Sequence, residues 1–220
     1  MKAVFISVDS AINREKNLEK TLANAGIEKR LSFELGRHPN GKPKLEFSPP
    51  RRVGYSVSHV AIGGRKMEAL ALLDEGCDIG LDVELWPQGE ADPAFVDTIS
   101  TPEDVKALRM LASGNHDAGV ALWVVKESAL KCTGEVMTDP RNLAVAHLHA
   151  NLFRVQSSAG ASSPHAEIDV SLHVLTQRKA PHSVLLLGLA MGAGSLTENR
   201  QARAIHFDAN DWNAAEFGRH

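Results

Sequence analysis

The stretch CDIGLDVEL, residues 77–85, carries the clearest secondary-structure pattern in the sequence. Its odd positions from Ile79 to Leu85 are aliphatic, and the positions between them are glycine or acidic, which is the period of a β-strand. Because residues i and i+2 of a strand point to the same side, the carboxylates of Asp82 and Glu84 project next to each other. Two adjacent carboxylates repel unless a cation lies between them, and Mg²⁺ prefers oxygen ligands. A solvated strand face is the simpler interpretation of this pair on its own.

A second informative stretch is AGVALWVVKESALKC, residues 118–132, which has a helical period and is followed by Gly134. On a helix Trp123, Glu127 and Lys131 are spaced by four residues, so they lie along one side. Lys126 and Lys131 place two cations around one carboxylate beside an aromatic ring. Such a set could hold a phosphate and a metal together, although an ordinary i, i+4 Glu–Lys pair would give the same pattern.

Two further segments offer hydrogen-bond donors for phosphate. Ser58-His59 follows a strand predicted at 53–58 and precedes a Gly63-Gly64 turn. The stretch GRHPNGKP, residues 36–43, is rich in glycine and proline and is predicted to be a loop that presents Arg37 and Lys42. Taken singly, each segment is equally consistent with an ordinary structural or surface role.

The composition is that of an ordinary globular protein. The chain has 220 residues, 43% of them hydrophobic, and a formal net charge of −3, which argues against a dedicated nucleic-acid binder. Its length fits one large domain or two small ones. Cys77 and Cys132 are too few for a disulfide framework and favour a reducing compartment. The N-terminal apolar stretch is too short for a signal peptide, and no apolar run approaches the roughly 20 residues of a membrane span. We therefore expect a cytoplasmic protein without a membrane partner.

The remaining periodicity fills in the expected elements. Ser100-Thr101-Pro102-Glu103 predicts a helix start that is capped by Ser or Thr, with a capping box from Ser100 to Glu103. Residues 64–73 fit either a helix or a strand. The other predictions are strands at 3–8 and 31–35, a helix at 13–25, a mostly antiparallel set of strands at 143–155, 167–175 and 183–191, and a flexible hairpin tip at 157–164.

In chain order the four segments resemble the motifs of the 4′-phosphopantetheinyl transferases, specifically the larger surfactin-synthetase-activating type. The matching residues are Gly41-Lys42-Pro43, Ser58-His59, Gly80-Leu81-Asp82-Val83-Glu84, and the run from Trp123 to Lys131. The family pattern usually has a second serine after Ser-His, where this chain has Val60. The resemblance covers about residues 36–134.

The resemblance implies an activity: Mg²⁺-dependent transfer of 4′-phosphopantetheine from coenzyme A to a serine of an acyl or peptidyl carrier protein, which releases 3′,5′-ADP. It implies a metal site of Asp82 and Glu127, with Glu84 as a third ligand directly or through water. It also implies that Glu127 is the base and that His59 and Lys131 hold phosphate oxygens. Ser58, Lys126, Arg37 and Lys42 complete the expected coenzyme A contacts, the last two at the 3′-phosphate and nucleotide.

The resemblance also implies an α+β fold with two similar α/β halves related by a pseudo-twofold axis. The halves would be residues 1–79 and 80–220, with a C-terminal tail able to fold back on the first half, and the chain would act as a monomer. Two other functions stay open at this point. One is a non-catalytic coenzyme A or nucleotide-binding protein on the same fold, and the other is a metal-dependent phosphoesterase.

Overall fold

The computed structural model describes residues 4–10, 14–27, 32–73, 77–112, 116–135, 139–157, 167–177, 184–192, 205–208 and 212–215. The strands are β1 Val4–Ser10, β2 Ser32–Arg37, β3 Pro43–Ser48, β4 Gly54–Ile62, β5 Arg65–Leu73, β6 Ile79–Leu85, β7 Leu143–His149, β8 Leu152–Ser157, β9 Glu167–Gln177, β10 Val184–Gly192, β11 Ile205–Asp208 and β12 Trp212–Ala215. The helices are α1 Arg14–Asn24, α2 Pro93–Ile99, α3 Val105–Leu111 and α4 Ala118–Thr133, with short 3-10 turns at Pro102–Asp104 and Pro140–Asn142.

Two larger sheets form the centre of the fold. The first sheet has the order β11-β1-β5-β4, and the second has the order β6-β10-β9-β8-β7 with β12 also paired to β9. Strands β2 and β3 form a separate hairpin. Because β11 pairs in parallel with β1, the first sheet includes residues 205–208 beside residues 4–7. The predicted boundary between residues 79 and 80 stays a prediction.

The apolar side chains of the strands and helices form three hydrophobic core clusters. One set of side chains, represented by Ile6 and Leu187, fills the space between the two sheets. Leu18 and Leu72 belong to a second core, in which α1 and the β2–β3 hairpin cover the outer face of the first sheet. A third core packs α4, α2 and α3 on the outer face of the second sheet. The mixed α/β architecture is therefore as predicted, while the pseudo-twofold relation stays a prediction.

Several predicted elements are confirmed and others are corrected. The helix at 13–25 is α1, the helix at 118–132 is α4, and the strands at 3–8 and 77–85 are β1 and β6. The ambiguous segment 64–73 is strand β5, because the Gly63-Gly64 turn pairs it with β4.

Several boundaries differ from the prediction. The strand predicted at 53–58 extends to Ile62. The loop predicted at 36–43 is shorter, because Gly36 and Arg37 belong to β2. The strand run at 143–155 divides into β7 and β8 at a turn that contains Ala150, whose φ is 47°. The capping box lies one residue later than the one predicted from Ser100 to Glu103: Thr101 is the N-cap, and its N–H donates to Asp104.

Most of the predicted hairpin tip at 157–164 lies outside the described residues. Within the part of the chain that the structure describes, no helix is long and apolar enough to cross a membrane.

Candidate active site

Two glycines bring α4 into direct contact with the second sheet. A Cβ atom on Gly80 of β6 would lie 2.0 Å from the carbonyl oxygen of Ser128, and one on Gly188 of β10 would lie 2.2 Å from Ser128 Oγ. Only glycine permits the helix to lie this close to the strands. Gly188 is also the residue directly opposite Asp82 in the β6–β10 register. The close approach therefore places the side of α4 that carries Lys131 next to the acidic face of β6.

Asp82 lies at the centre of the contacts between β4, β6 and α4. Its side chain is almost fully buried, and its Oδ1 accepts hydrogen bonds from Ser58 Oγ at 2.9 Å and from Lys131 Nζ at 2.5 Å. Lys131 Nζ also donates to Ser58 Oγ at 3.1 Å. The second carboxylate oxygen, Oδ2, is buried without a hydrogen-bond partner among the described residues. A buried carboxylate oxygen without a partner costs free energy unless a ligand satisfies it.

Two more carboxylates are influenced by Asp82. Burial first, and then the charge of Asp82, raise the pKa of Glu84 to about 7. The same two causes, in the same order, raise the pKa of Glu127. Lys131 acts in the opposite direction on both groups. Two partly buried carboxylates whose charged forms are disfavoured, next to the buried Asp82, form an environment that a cation would stabilise.

The donor set fits a hard divalent cation in its chemistry. Oxygen atoms from Asp82, Glu84 and Glu127 are the ligands that Mg²⁺ prefers, and Asp82 Oδ2 has no competing partner within the described chain. In the side-chain arrangement described, no group of three His, Cys, Asp or Glu residues forms a ready-made metal-binding cluster. The cation that lies against Asp82 is Lys131 Nζ.

A cleft of about 560 Å³ opens over this carboxylate group. Eight predicted site residues line it: Arg37, Lys42, Ser58, His59, Asp82, Glu84, Glu127 and Lys131. Trp123 lines it as well, one helical turn before Glu127. The four separate sequence segments therefore meet in one cleft with cationic and anionic residues on its walls.

Lys126 does not lie in this cleft, and the structure corrects its interpretation as a phosphate ligand. Its ammonium group is fully buried and donates to Asp104 Oδ2 at 2.8 Å, and to the carbonyl oxygens of Ile99 and Pro140. Successive helix residues differ by 100° around the axis, so Lys126 points away from the side that carries Glu127. Lys126 holds α4 to the segment that begins α3.

Lys42 fastens the β2–β3 turn to the end of α4. Its Nζ donates to the carbonyl oxygen of Cys132 at 2.6 Å and to Asp78 Oδ1 at 2.9 Å. Arg37 donates to the carbonyl oxygen of Gly41 within the same turn. These contacts hold two cationic residues at one end of the cleft, and they also give Lys42 a structural role that the sequence did not indicate.

His59 lies within β4 rather than after a strand, so its side chain and that of Ser58 point to opposite faces. β4 is an edge strand of the first sheet, which allows residues on both faces to border the cleft. His59 Nε2 lies 3.0 Å from Glu68 Oε2 and 2.8 Å from an Nη atom of Arg14. Burial lowers the pKa of His59, and Glu68 partly offsets this effect. Arg14 and Glu68 are not among the residues predicted from the sequence, although the Gly63-Gly64 turn fixes the register that pairs His59 with Glu68.

Comparison with protein families identifies part of the chain. Residues 78–184 match the family model of the 4′-phosphopantetheinyl transferase superfamily, so the chain contains a domain of that superfamily. The superfamily prediction is confirmed for residues 78–184, and the match supports phosphopantetheine transfer in general. The chain has no significant match among curated proteins. The matched segment includes Asp82, Glu84, Glu127 and Lys131, whereas Arg37, Lys42, Ser58 and His59 precede it.

Proposed function

We propose that this chain transfers 4′-phosphopantetheine from coenzyme A to a serine hydroxyl of an acyl or peptidyl carrier protein in a Mg²⁺-dependent reaction. The observation that carries the proposal is the convergence of Asp82, Glu127 and Lys131 on one cleft, with Asp82 Oδ2 buried and unsatisfied by the described residues. A pyrophosphate needs cations, and the same cleft brings Lys131, Lys42 and Arg37 together.

The proposed metal site consists of Asp82, Glu127 and Glu84, the last directly or through a water. When bound there, Mg²⁺ would neutralise the pyrophosphate and stabilise the leaving group. The raised pKa values of Glu84 and Glu127 support this assignment, because burial and then the negative charge of Asp82 both disfavour the charged carboxylates, and a cation would offset both effects.

The remaining cationic and polar groups bind and orient the substrate. Lys131 and His59 hold oxygen atoms of the pyrophosphate, and Ser58 adds a hydroxyl donor. Arg37 and Lys42 lie at the end of the cleft where they contact the 3′-phosphate and nucleotide. Catalysis of phosphoryl transfer depends mostly on such positioning and charge stabilisation, so no protein nucleophile is required.

Glu127 accepts the proton of the carrier serine, directly or through a water. Its raised pKa supports this role, because a base with a pKa nearer neutrality removes a proton more effectively. The serine oxygen then forms a bond to the β-phosphorus, and the bond from that phosphorus to the bridging oxygen breaks. The electron pair leaves on 3′,5′-ADP, and the phosphopantetheine remains on the carrier.

The proposal extends to the organisation of the chain. We infer a transferase of the larger type, in which two similar halves meet at residues 79 and 80 and the chain acts as a cytoplasmic monomer. Support comes from Arg37, Lys42, Ser58 and His59, which precede the matched segment and line the same cleft as the residues within it.

The test is intact-mass spectrometry of a panel of apo carrier proteins incubated with this protein, coenzyme A and Mg²⁺, with and without EDTA. We expect at least one carrier to gain the mass of a single phosphopantetheine, and EDTA to abolish the gain. No gain on any carrier while coenzyme A still binds would favour a non-catalytic coenzyme A-binding protein. No gain with coenzyme A consumed would favour a metal-dependent phosphoesterase.

A further inference from the structure

Behind His59, on the side of the first sheet that α1 covers, three charged or titratable side chains form a closed cluster. Arg14 Nε donates to Glu68 Oε2 at 2.6 Å, and an Nη atom of the same guanidinium lies 2.8 Å from His59 Nε2. His59 Nε2 lies 3.0 Å from Glu68 Oε2. The β4–β5 register makes His59 and Glu68 direct cross-strand neighbours, so the cluster is fixed by sheet pairing as well as by charge.

Glu68 is the buried member of this cluster. Its side chain is inaccessible to solvent, whereas Arg14 is 41% exposed and His59 is 29% exposed. Glu68 Oε1 is buried without a hydrogen-bond partner among the described residues. A buried carboxylate in which only one oxygen is satisfied is a costly way to stabilise a sheet. His59 is the member of this cluster that borders the cleft, so an effect of Glu68 on the site would pass through His59.

The chemistry of the contacts restricts the state of the imidazole. His59 Nε2 has two close partners that require opposite roles of it, because a guanidinium only donates and a carboxylate only accepts. The contact with Arg14 is the shorter, at 2.8 Å against 3.0 Å, and Glu68 Oε2 already accepts from Arg14 Nε at 2.6 Å. We therefore assign Nε2 as the acceptor of the Arg14 hydrogen bond, so that Glu68 Oε2 and His59 Nε2 accept side by side from one guanidinium. A neutral ring whose Nε2 accepts carries its proton on Nδ1. No hydrogen bond to Nδ1 is found among the described residues, which leaves Nδ1–H available to a ligand in the cleft. Glu68, which holds the guanidinium by its Nε, keeps Arg14 against the ring.

We propose that Arg14 and Glu68 are positioning residues for His59, and that they engage Nε2 so that Nδ1–H donates to a phosphate oxygen of coenzyme A. The inference rests on the proposed function, because coenzyme A supplies the phosphate. Glu68 and Arg14 act through His59 and do not touch the substrate themselves.

The first experiment measures coenzyme A binding by titration calorimetry in a double-mutant cycle of Glu68→Gln and His59→Ala. We expect each single variant to bind coenzyme A about tenfold more weakly, the size of one charge-assisted hydrogen bond. In the His59→Ala background, Glu68→Gln should have no further effect. An equal tenfold loss from Glu68→Gln in both backgrounds would overturn the inference, and so would full affinity in the Glu68→Gln single variant.

Glu46→Gln is the matched control, because Glu46 is an exposed strand glutamate paired with a lysine on the separate hairpin. It should bind coenzyme A like the wild type. Arg14→Lys keeps the charge but loses the two-pronged contact, so it should fall between the wild type and Glu68→Gln. If the wild type itself does not bind coenzyme A, the proposed function fails rather than the positioning.

The second experiment observes the ring directly and needs no coenzyme A. Nitrogen-15 NMR of the imidazole near pH 8 distinguishes a proton on Nδ1 from a proton on Nε2. We expect His59 to be in the Nδ1–H form in the wild type and to shift toward the Nε2–H form in Arg14→Gln and Glu68→Gln. A wild-type ring with its proton on Nε2 would overturn the inference, as would a tautomer that neither variant changes.

Discussion

Lys131 Nζ lies 2.5 Å from Asp82 Oδ1, so the lysine of α4 neutralises the aspartate that the proposed metal site requires. The two residues are 49 positions apart and are brought together by the close packing of α4 on β6. Lys131 is about one third exposed, while Asp82 is almost fully buried. Because the lysine is long and borders the cleft, it can turn toward a phosphate when another cation lies at Asp82.

This relationship predicts a competition between Lys131 and a divalent cation. In Lys131→Met the competing ammonium is removed, so Mn²⁺, used as a spectroscopic probe, should bind the protein a few-fold more tightly. Coenzyme A should bind more weakly, since one phosphate contact is lost. Electron paramagnetic resonance of free Mn²⁺ and calorimetry of coenzyme A measure the two effects. Lys44→Met, a lysine paired with Glu46 on the β2–β3 hairpin, is the control and should change neither.

The opposite substitution, Asp82→Asn, should abolish metal-dependent transfer and weaken Mn²⁺ binding. Unchanged Mn²⁺ affinity in both Lys131→Met and Asp82→Asn would show that the cation binds elsewhere, and the metal assignment would be wrong.

Glu127→Gln tests the proposed base. The change is isosteric at a half-buried position, so we expect an intact fold and transfer reduced at least about a hundredfold. Glu135→Gln is the matched control, because Glu135 is an exposed glutamate that lines the same cleft just after α4. Initial rates of carrier modification, with circular dichroism for the fold, measure the outcome. Normal turnover by Glu127→Gln would contradict its role as base and ligand.

Much of this site could be predicted from sequence because its residues lie in short segments with strong local patterns. The alternation in β6 placed Asp82 and Glu84 on one face, and the helical period of α4 placed Glu127 and Lys131 on one side. What the local pattern could not determine was the direction of Lys126, since a position next to a functional residue on a helix faces elsewhere. Its partner Asp104 lies 22 residues away, and only the tertiary fold brings the two together.

The cluster behind His59 could not be predicted for a related reason. Residues 64–73 are compatible with a helix or a strand by composition, and the register that pairs Glu68 with His59 exists only in the strand. Arg14 lies on α1 and is 54 residues from Glu68 in the chain. A contact of this range depends on how α1 packs across the first sheet, which the periodicity of α1 does not specify.

Lys42→Ala should have two separable effects. Loss of the contacts with the Cys132 carbonyl oxygen and Asp78 should lower the free energy of unfolding by about 1.5 kcal/mol. Loss of the cation should raise KM for coenzyme A more than it lowers kcat. Arg37→Ala is the matched control for the effect on stability, because this exposed arginine donates within its own turn, to the carbonyl oxygen of Gly41. Its replacement should weaken coenzyme A binding with little change in the free energy of unfolding. Urea unfolding and steady-state kinetics distinguish the two effects, and an unchanged KM in both variants would remove these residues from the substrate site.

Gly188→Ala tests the packing that places α4 against the second sheet. The new Cβ would meet Ser128 Oγ at 2.2 Å and Val124 Cγ1 at 2.9 Å, so we expect a loss of about 3 kcal/mol in unfolding free energy. Transfer should also fall, because a displaced α4 separates Lys131 from Asp82.

The second substitution Ser128→Ala removes Ser128 Oγ, the atom closest to the new Cβ, and should restore part of both the stability and the transfer activity. Ser128→Ala should not rescue Gly80→Ala. The Cβ added at position 80 would meet the carbonyl oxygen of Ser128 and the backbone of Cys132, and Ser128→Ala removes neither. Equal rescue of both glycine variants would contradict the packing described.

Cys132 provides a prediction about alkaline stability. Its thiol is buried in α4 and lies 3.4 Å from the carbonyl oxygen of Asp78, and burial raises its pKa from 9.0 to about 12. Between pH 9 and 12 the unfolded thiol loses its proton while the folded thiol keeps it, so the unfolded state binds fewer protons and the free energy of unfolding falls as pH rises. The loss from this group amounts to at most about 4 kcal/mol at pH 12. Tyr55, whose pKa burial raises to about 12, adds to the decline above pH 10.

Urea unfolding at a series of pH values from 8 to 11.5 measures this slope. Cys132→Ala should have a shallower decline above pH 9 than the wild type, because the group that titrates only on unfolding is gone. Val125→Ala is the control, since it truncates another buried side chain of α4 that has no titratable group, and it should retain the wild-type slope. A Cys132→Ala curve parallel to the wild-type curve would mean that the Cys132 thiol titrates equally in both states, and the burial of this residue against β6 would then be wrong.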